Sequence, residues 1–200
     1  MDLPNSSAAV EQPEAVGRGP VAGRLTPAAR LRAVAPLVGI AALVLVADQL
    51  TKRWIVAAIG PQQAQHEIAL LPGWLVLQYA ENTGAAFGLF HNGGWLLALI
   101  AAAVVVVIVA TAPRMQQDAP GGFARWQSLL SLGLVLGGAV GNLLDRLWRG
   151  FVVDFILVPS VQITLGGKLY HFPNFNVADS AITVGILLLV VHLFFFGERK

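Results

Sequence analysis

The stretch that decides the fold reads GGAVGNLLDRLWRGFVVDF, Gly137 to Phe155. An apolar, helix-like run ends in a cluster of polar groups: Asn142, Asp145, Arg146 and Arg149, with Asp154 just beyond. Lipid-facing helices rarely carry carboxylates, because a charge near the bilayer centre costs several kcal/mol. A second cluster, Asn176 and Asp179 within FNVADSAITVG, also stands at the edge of an apolar run. The reading that follows is that Asp154 and Asp179 meet at one membrane surface and do chemistry there.

Working outward, the whole chain is membrane-like. Of its 200 residues 56% are hydrophobic and 12% charged, too apolar for an ordinary soluble domain. Four runs approach the about 20 apolar residues that cross a bilayer. They lie at about 36–59, 94–112, 126–147 and 176–196. The fold class expected is an α-helical integral membrane protein, four transmembrane helices carrying a small extracytoplasmic β-rich cradle. The net charge of +2 is small and the Arg and Lys residues surround the apolar runs. They read as topology signals, not as a nucleic-acid patch. Cysteine is absent, which excludes disulfides, thiolate metal sites and a cysteine nucleophile.

Residues 1–35 read as a disordered cytoplasmic tail rich in Ala, Pro and Gly. It lacks the pattern of a signal peptide. Arg18, Arg24, Arg30 and Arg32 precede the first span and place the N-terminus in the cytoplasm. Near the far end of that span, in DQLTKRW, Asp48 and Lys52 are four apart and share a helix face. A plain salt bridge with Lys52 and Arg53 reaching the headgroups is one reading, a functional role the other. From His66 to Tyr79 the chain alternates and reads as short strands at the outer surface. ENTGAAFGLF, Glu81 to Phe90, follows; Gly84 and Gly88 suit a flap over a cleft. Asn82 reads either as a turn former or as a group facing a substrate backbone.

The second span carries no ionisable residue and is expected to end at Pro113. In the third, Gly133, Gly137 and Gly141 recur every four residues, a face that admits another helix closely. Asn142 and Asp145 share a face at its outer end, with Arg146 and Arg149 nearby to neutralise a carboxylate. GFVVDFILV reads as an extended segment, and VQITLGGKLYHF as a hairpin around Gly166-Gly167. His171 there reads as a solvated loop histidine. Four spans return both termini to the cytoplasm and put Asp154 and Asp179 on the same, outer side.

Two carboxylates held close cannot both ionise readily, so one serves as base and the other as acid near neutral pH. Such a pair can take a proton from water and give one to a leaving amine. No GxSxG, HExxH, P-loop or paired-His pattern competes with it. A structural hydrogen-bond network, a small proton-coupled transporter and a non-catalytic lipid-binding protein remain alternative uses of the same acids.

DQLTKRW, ENTGAAFG, GNLLDR with GFVVDF, and FNVADSA, in that order among four apolar spans, resemble lipoprotein signal peptidase (signal peptidase II) over about residues 36–197. The resemblance implies a bacterial inner-membrane aspartic endopeptidase. Its substrates would be diacylglyceryl-modified prolipoproteins, cut before the lipidated lipobox cysteine. It implies Asp154 and Asp179 as the catalytic pair. Supporting residues would be Asp48, Lys52, Asn82, Gly84, Asn142, Asp145, Arg146 and Asn176. No metal or cofactor, a monomer in contact with membrane lipid, an active site near the outer face and inhibition by the peptide antibiotic globomycin are also implied. The N-terminal tail and a long Ser160–His171 hairpin depart from the family pattern.

Overall fold

A computed structural model describes residues 26–61, 66–84, 94–118, 121–165 and 167–196. In chain order the elements are α1 (Pro27–Ile59), β1 (Glu67–Leu71), β2 (Leu75–Asn82), α2 (Gly94–Asp118), α3 (Phe123–Arg149), β3 (Val152–Leu157), β4 (Gln162–Leu165), β5 (Lys168–His171) and α4 (Val177–Phe196). All four helices are long and apolar enough to cross a membrane, over Leu31–Ile59, Gly94–Pro113, Phe123–Arg149 and Val177–Phe196. The expected fold class is therefore observed: four membrane-spanning helices plus a small antiparallel sheet.

Two helix boundaries differ from the expectation. α1 starts at Pro27, ahead of the apolar run, because Thr26 caps it. Its Oγ1 accepts from Ala29 N at 3.3 Å, and Pro27 arrives with a helical φ already fixed. Pro36 then sits inside the helix, where a missing N–H removes one hydrogen bond without ending the element. Residues 26–35 of the expected tail are thus not tail; residues 1–25 lie outside the described residues. α2 likewise runs through Pro113 to Asp118, although the apolar span itself closes at Pro113. Of the expected flap, Glu81 to Phe90, residues 85–90 lie outside the described residues.

α3 is the central helix. It has the largest buried share of the four spans, and α1, α2 and α4 all pack on it. Its glycines explain how. A Cβ at Gly133 would stand 2.8 Å from the Ile40 Cβ, and one at Gly137 would stand 2.6 Å from the Ala41 carbonyl oxygen. α1 therefore runs parallel to α3 at backbone contact distance. Gly138 faces Ala178 on α4, while Gly185 of α4 faces Val135 and Ser131, so α4 runs antiparallel to α3. The inner core joins Leu37 and Ala41 of α1, Ile108 and Ala112 of α2, and Leu129, Leu132, Val135 and Leu136 of α3.

The sheet has the order β1-β2-β3, antiparallel throughout. β2 pairs with β3 so that Ala80 faces Asp154 and Asn82 faces Val152. Its inner face closes over Ile55 and Ile59 of α1 with Leu77, Val153 and Phe155. β4 and β5 form the expected hairpin, with Leu165 opposite Lys168 and Gly167 at φ +77°, the left-handed turn geometry glycine permits.

Candidate active site

The site lies where the C-terminal half of α1, the C-terminal end of α3, strand β3 and the N-terminus of α4 meet. Each element brings polar groups there for a local reason. Gly150, at φ +81°, stops α3 with its N–H donated to the Arg146 carbonyl, and the chain turns directly into β3. Asp154 is therefore delivered from a strand, just beyond the last helical polar groups. Asn176 caps α4: its Oδ1 accepts from Asp179 N at 2.9 Å, and Asp179 Oδ2 accepts from Asn176 N at 3.1 Å. This reciprocal pair is a capping box, and it places Asp179 in the first turn, at the positive end of the helix dipole.

Two asparagine side chains join the acids. Asn176 Nδ2 donates to Asp154 Oδ1 at 2.7 Å and to Asn142 Oδ1 at 3.1 Å. Asn142 Nδ2 donates to Asp179 Oδ1 at 2.7 Å. Asn82 Nδ2, at the end of β2, donates to Asp154 Oδ2 at 2.9 Å, while its own Oδ1 accepts from Gly84 N at 3.2 Å. Asn82 is thus both a turn former and a partner of the acid. Asp154 is 3% exposed. Burial and the nearby Asp179 charge push its pKa up to about 7, against the lowering by Asn82 and Asn176.

Behind the acids sits a buried ionic cluster. Lys52, wholly enclosed, donates to Asp48 Oδ2 at 2.8 Å, Asp145 Oδ2 at 3.0 Å and Asn142 Oδ1 at 2.9 Å. All three ammonium protons have acceptors, which a buried charge requires. The two carboxylates also hold backbone. Asp48 Oδ1 accepts from Ala178 N at 3.0 Å, and Asp145 Oδ2 accepts from Val153 N at 3.2 Å. These are the residues immediately before Asp179 and Asp154. One lysine therefore ties both acid-bearing segments to α1. The i,i+4 pair of Asp48 with Lys52 is as expected, and it is not only a salt bridge.

Asp145 also meets Arg149 Nε at 3.5 Å, the neighbour the sequence suggested, but its buried partner is Lys52 from 93 positions earlier in the chain. Gln49 is a site residue that the sequence reading misses; its Nε2 lies 3.2 Å from Asp48 Oδ2, 3.3 Å from the Gly141 carbonyl and 3.3 Å from Asp145 Oδ1. Its position beside Asp48 in DQLTK is the available signal. Arg146 donates to the Asn142 carbonyl at 3.2 Å and faces the charges of Asp179, Asp154 and Asp145. Gly141 faces Asp48, where a Cβ would fall 2.6 Å from Oδ2. Thr183 turns its hydroxyl back to the Asp179 carbonyl. His171 lies on β5, in the separate two-stranded sheet β4-β5. Among the described residues no group of three or more His, Cys, Asp or Glu side chains is arranged to hold a metal ion.

The cluster holds four carboxylates, Asp48, Asp145, Asp154 and Asp179, against three cations, Lys52, Arg146 and Arg149. One proton held on Asp154 would balance it. A pair of carboxyls sharing one proton is the arrangement needed for acid–base work on a water.

Comparison with known proteins assigns the family. The family model described as signal peptidase (SPase) II matches residues 40–195. A lipoprotein signal peptidase of Symbiobacterium thermophilum is 43% identical over 157 residues, covering 78% of this chain and 91% of that protein. One from Shewanella loihica is 39% identical over 161 residues, covering 78% and 84%. A bacterial membrane enzyme solved by the in meso method at 2.3 Å superposes with a TM-score of 0.64 at 27% identity, covering 82% of this chain and 92% of that one. The chain is thus a multi-pass bacterial membrane protease, and it belongs to the signal peptidase II family.

Proposed function

We propose that this protein is an aspartic endopeptidase that removes the signal peptide from diacylglyceryl-modified prolipoproteins, cutting just before the lipidated cysteine. The observation that carries the reading is the suspension of Asp154 and Asp179 from one pair of asparagine amides at one end of a four-span bundle. Asp179, in the capping box, is the base: its carboxylate takes a proton from water, and the hydroxide attacks the scissile carbonyl carbon. Asp154, held up near neutral pH, is the acid and gives its proton to the carbonyl oxygen. As the tetrahedral diol collapses, Asp154 regains a proton from it and Asp179 passes the water's proton to the leaving amine. Net, one peptide bond and one water become a carboxylic acid and an amine, and both aspartates return to their starting states.

Asn82, Asn142 and Asn176 orient the acids, and Lys52 with Asp48 and Asp145 fixes the segments that carry them. Arg146 keeps the surplus negative charge of the pair tolerable in a poorly hydrated setting. Gly84 lets the chain after Asn82 turn at the rim of the site. The four-helix membrane domain, which α1 opens at Pro27, acts as a monomer in the bacterial inner membrane, with both termini cytoplasmic and the acid end facing outward. It needs no cofactor, binds membrane lipid and no nucleic acid, and is blocked by globomycin. Every acid buried in the bundle among the described residues lies at one end of it, which favours a surface protease over a transporter with a proton path across the bilayer.

The test is to incubate purified protein in detergent with a diacylglyceryl-modified precursor and with the same precursor unmodified. Mass spectrometry of the products should give a new N-terminus at the lipidated cysteine from the modified precursor alone. Cleavage elsewhere, or equal cleavage of both precursors, overturns the reading.

A further inference from the structure

The sheet carries a cleft of about 640 Å³ that the reaction as described does not use. Strand geometry decides which way it faces. The N–H groups of Phe155 and Ile156 both donate to the Phe175 carbonyl, at 3.0 and 2.8 Å. Two residues against one make a β-bulge, and this one turns Phe155 and Ile156 to the same face. Both pack on the core built around Ile55 and Ile59. Asp154 before the bulge and Leu157 after it therefore share the opposite face. β2 alternates beside them: Leu77 and Tyr79 pack on that core, so Val76, Gln78 and Ala80 point away from it. Ala80 is opposite Asp154, Val76 is opposite Leu157, and Glu67 of β1 is opposite Gln78. Glu67, Val76, Gln78 and Leu157 line the cleft, which thus lies on the sheet face that carries Asp154. At about 3.4 Å per residue, the level of Gln78 and Glu67 is ~7 Å from that of Asp154, and the level of Val76 is ~14 Å from it.

Phe172 and Asn174 stand across from the sheet. Phe172 N donates to the Val161 carbonyl at 3.0 Å, and its ring centroid lies 5.8 Å from that of Phe175, edge to face. The wall is thereby fixed at the root of the long β4–β5 hairpin. Two amides meet across the cleft: Asn174 Nδ2 is 3.4 Å from both the Gln78 carbonyl and Gln78 Oε1. Those separations exceed the roughly 2.7–3.2 Å of strong N–H···O bonds, so both amides can exchange partners with a passing peptide. Glu67 is exposed at the rim, and no Lys, Arg or His lines the cleft with it among the described residues.

We infer that this cleft holds the second to fourth residues after the lipidated cysteine of the substrate, and that Glu67 makes Lys or Arg the preferred residue there. The inference rests on the reading given under Proposed function and deepens it from the reacting bond to a sequence preference. A peptide bond held at Asp154 sends chain in two directions. The signal-peptide side carries an apolar run and belongs to the bilayer. The mature side leads outward, and the cleft offers it polar groups on the face of the acid. An extended chain advances by about 3.3 Å per residue, so two to four residues reach from the acid into the cleft. Glu67 stands too far from Asp154 to touch the reacting atoms, so the preference is one of binding.

The experiment compares diacylglyceryl-modified precursors that differ only in carrying Lys, Ser or Glu at the second, third or fourth residue after the cysteine. Full-length wild type, Glu67→Gln and Glu67→Lys are assayed in nonionic detergent. At the position that meets Glu67, wild type is expected to favour Lys over Glu about tenfold in kcat/KM, through KM with kcat unchanged. Attraction in an exposed pair is worth up to about fivefold, and repulsion of the Glu precursor adds to it. Glu67→Gln should level the series, Glu67→Lys should invert it, and about 0.5 M salt should weaken both preferences. In the Asp154→Asn protein, a benzophenone at the third residue should label the peptides holding Val76 and Gln78 or Leu157. Equal kcat/KM for all precursors, a preference that survives Glu67→Gln, or label confined to surfaces outside the cleft overturns this inference and leaves the proposed function standing. Failure of wild type to cleave any of the precursors removes the underlying reading, and this inference with it.

Discussion

Replacing Lys52 with Met probes the centre of the account. The ammonium meets Asp48 at 2.8 Å, Asn142 at 2.9 Å and Asp145 at 3.0 Å, and Lys52, Asp48 and Asp145 are wholly enclosed. Met keeps the length and much of the volume but leaves two buried carboxylates facing each other. Removing one partner of a buried ion pair costs about 3–5 kcal/mol. For a chain of this size that lowers the melting temperature by on the order of 10 °C. The kinetic effect follows from what the carboxylates hold, the N–H groups of Ala178 and Val153. A shift of about 1 Å in Asp179 or Asp154 costs on the order of 100-fold in rate. The expected signature is a fall in kcat with KM little changed, because Lys52 does not reach the substrate. Adding Asp48→Asn to Lys52→Met leaves Asp145 paired with Arg149 and restores neutrality, so most of the lost melting temperature should return. The amide oxygen introduced at position 48 would still accept from Ala178 N, so part of kcat should return as well. Thermal unfolding in detergent and steady-state cleavage of a lipid-modified precursor measure both effects. A Lys52→Met protein with wild-type kcat would refute the tie between the ionic cluster and the acids, whatever its stability.

Other perturbations test neighbouring links. Gly141→Ala puts a Cβ 2.6 Å from Asp48 Oδ2; overpacking of this kind costs about 1–3 kcal/mol, so both melting temperature and kcat should drop, and unchanged values would mean α1 and α3 separate freely. Asn176→Ala removes the cap of α4 and the amide that bridges to Asp154; about 1 kcal/mol of stability and at least about 100-fold in kcat should go, whereas Asn176→Asp should keep the cap and still fail in cleavage. The pH profile follows from Asp154. As the proposed acid, with its pKa raised from 3.8 to about 7, it should give a kcat that falls as pH rises through about 7. Its protonated form is also the one favoured by the fold. Its contribution to stability is therefore fully present below pH 3.8 and lost as pH rises to about 7, a slope that Asp154→Asn should abolish in melting curves.

Much of the site is legible in the sequence because charge in an apolar context is rare. Asp154 and Asp179 stand out at the edges of apolar runs, and the Asp48–Lys52 pair follows from helix spacing alone. The small-residue face of α3 predicts close helix contact, and Gly133 and Gly137 bring the α1 backbone against it. The β4–β5 turn is announced by two adjacent glycines. What stays hidden is of two kinds. Long-range partners leave no periodic trace: nothing local links Lys52 to Asp145 and Asn142, or Asp48 to Ala178 N, across 90 or more residues. Helix ends also outrun hydropathy. Thr26 with Pro27 starts α1 before the apolar run, and Pro113 lies within α2 although its span closes there, since hydropathy marks the membrane and hydrogen bonding marks the helix. The capping box of Asn176 with Asp179 is readable from its spacing, yet the acid draws attention as a reactive group and not as a cap.

The most direct test of the central claim is cleavage of a diacylglyceryl-modified precursor by wild type, Asp154→Asn and Asp179→Asn, each first matched for melting temperature in mildly acidic buffer. The account expects processing by wild type and loss of about 100-fold to 10,000-fold in kcat in both variants. A folded Asp154→Asn or Asp179→Asn protein that still processes the precursor at the wild-type rate would contradict it.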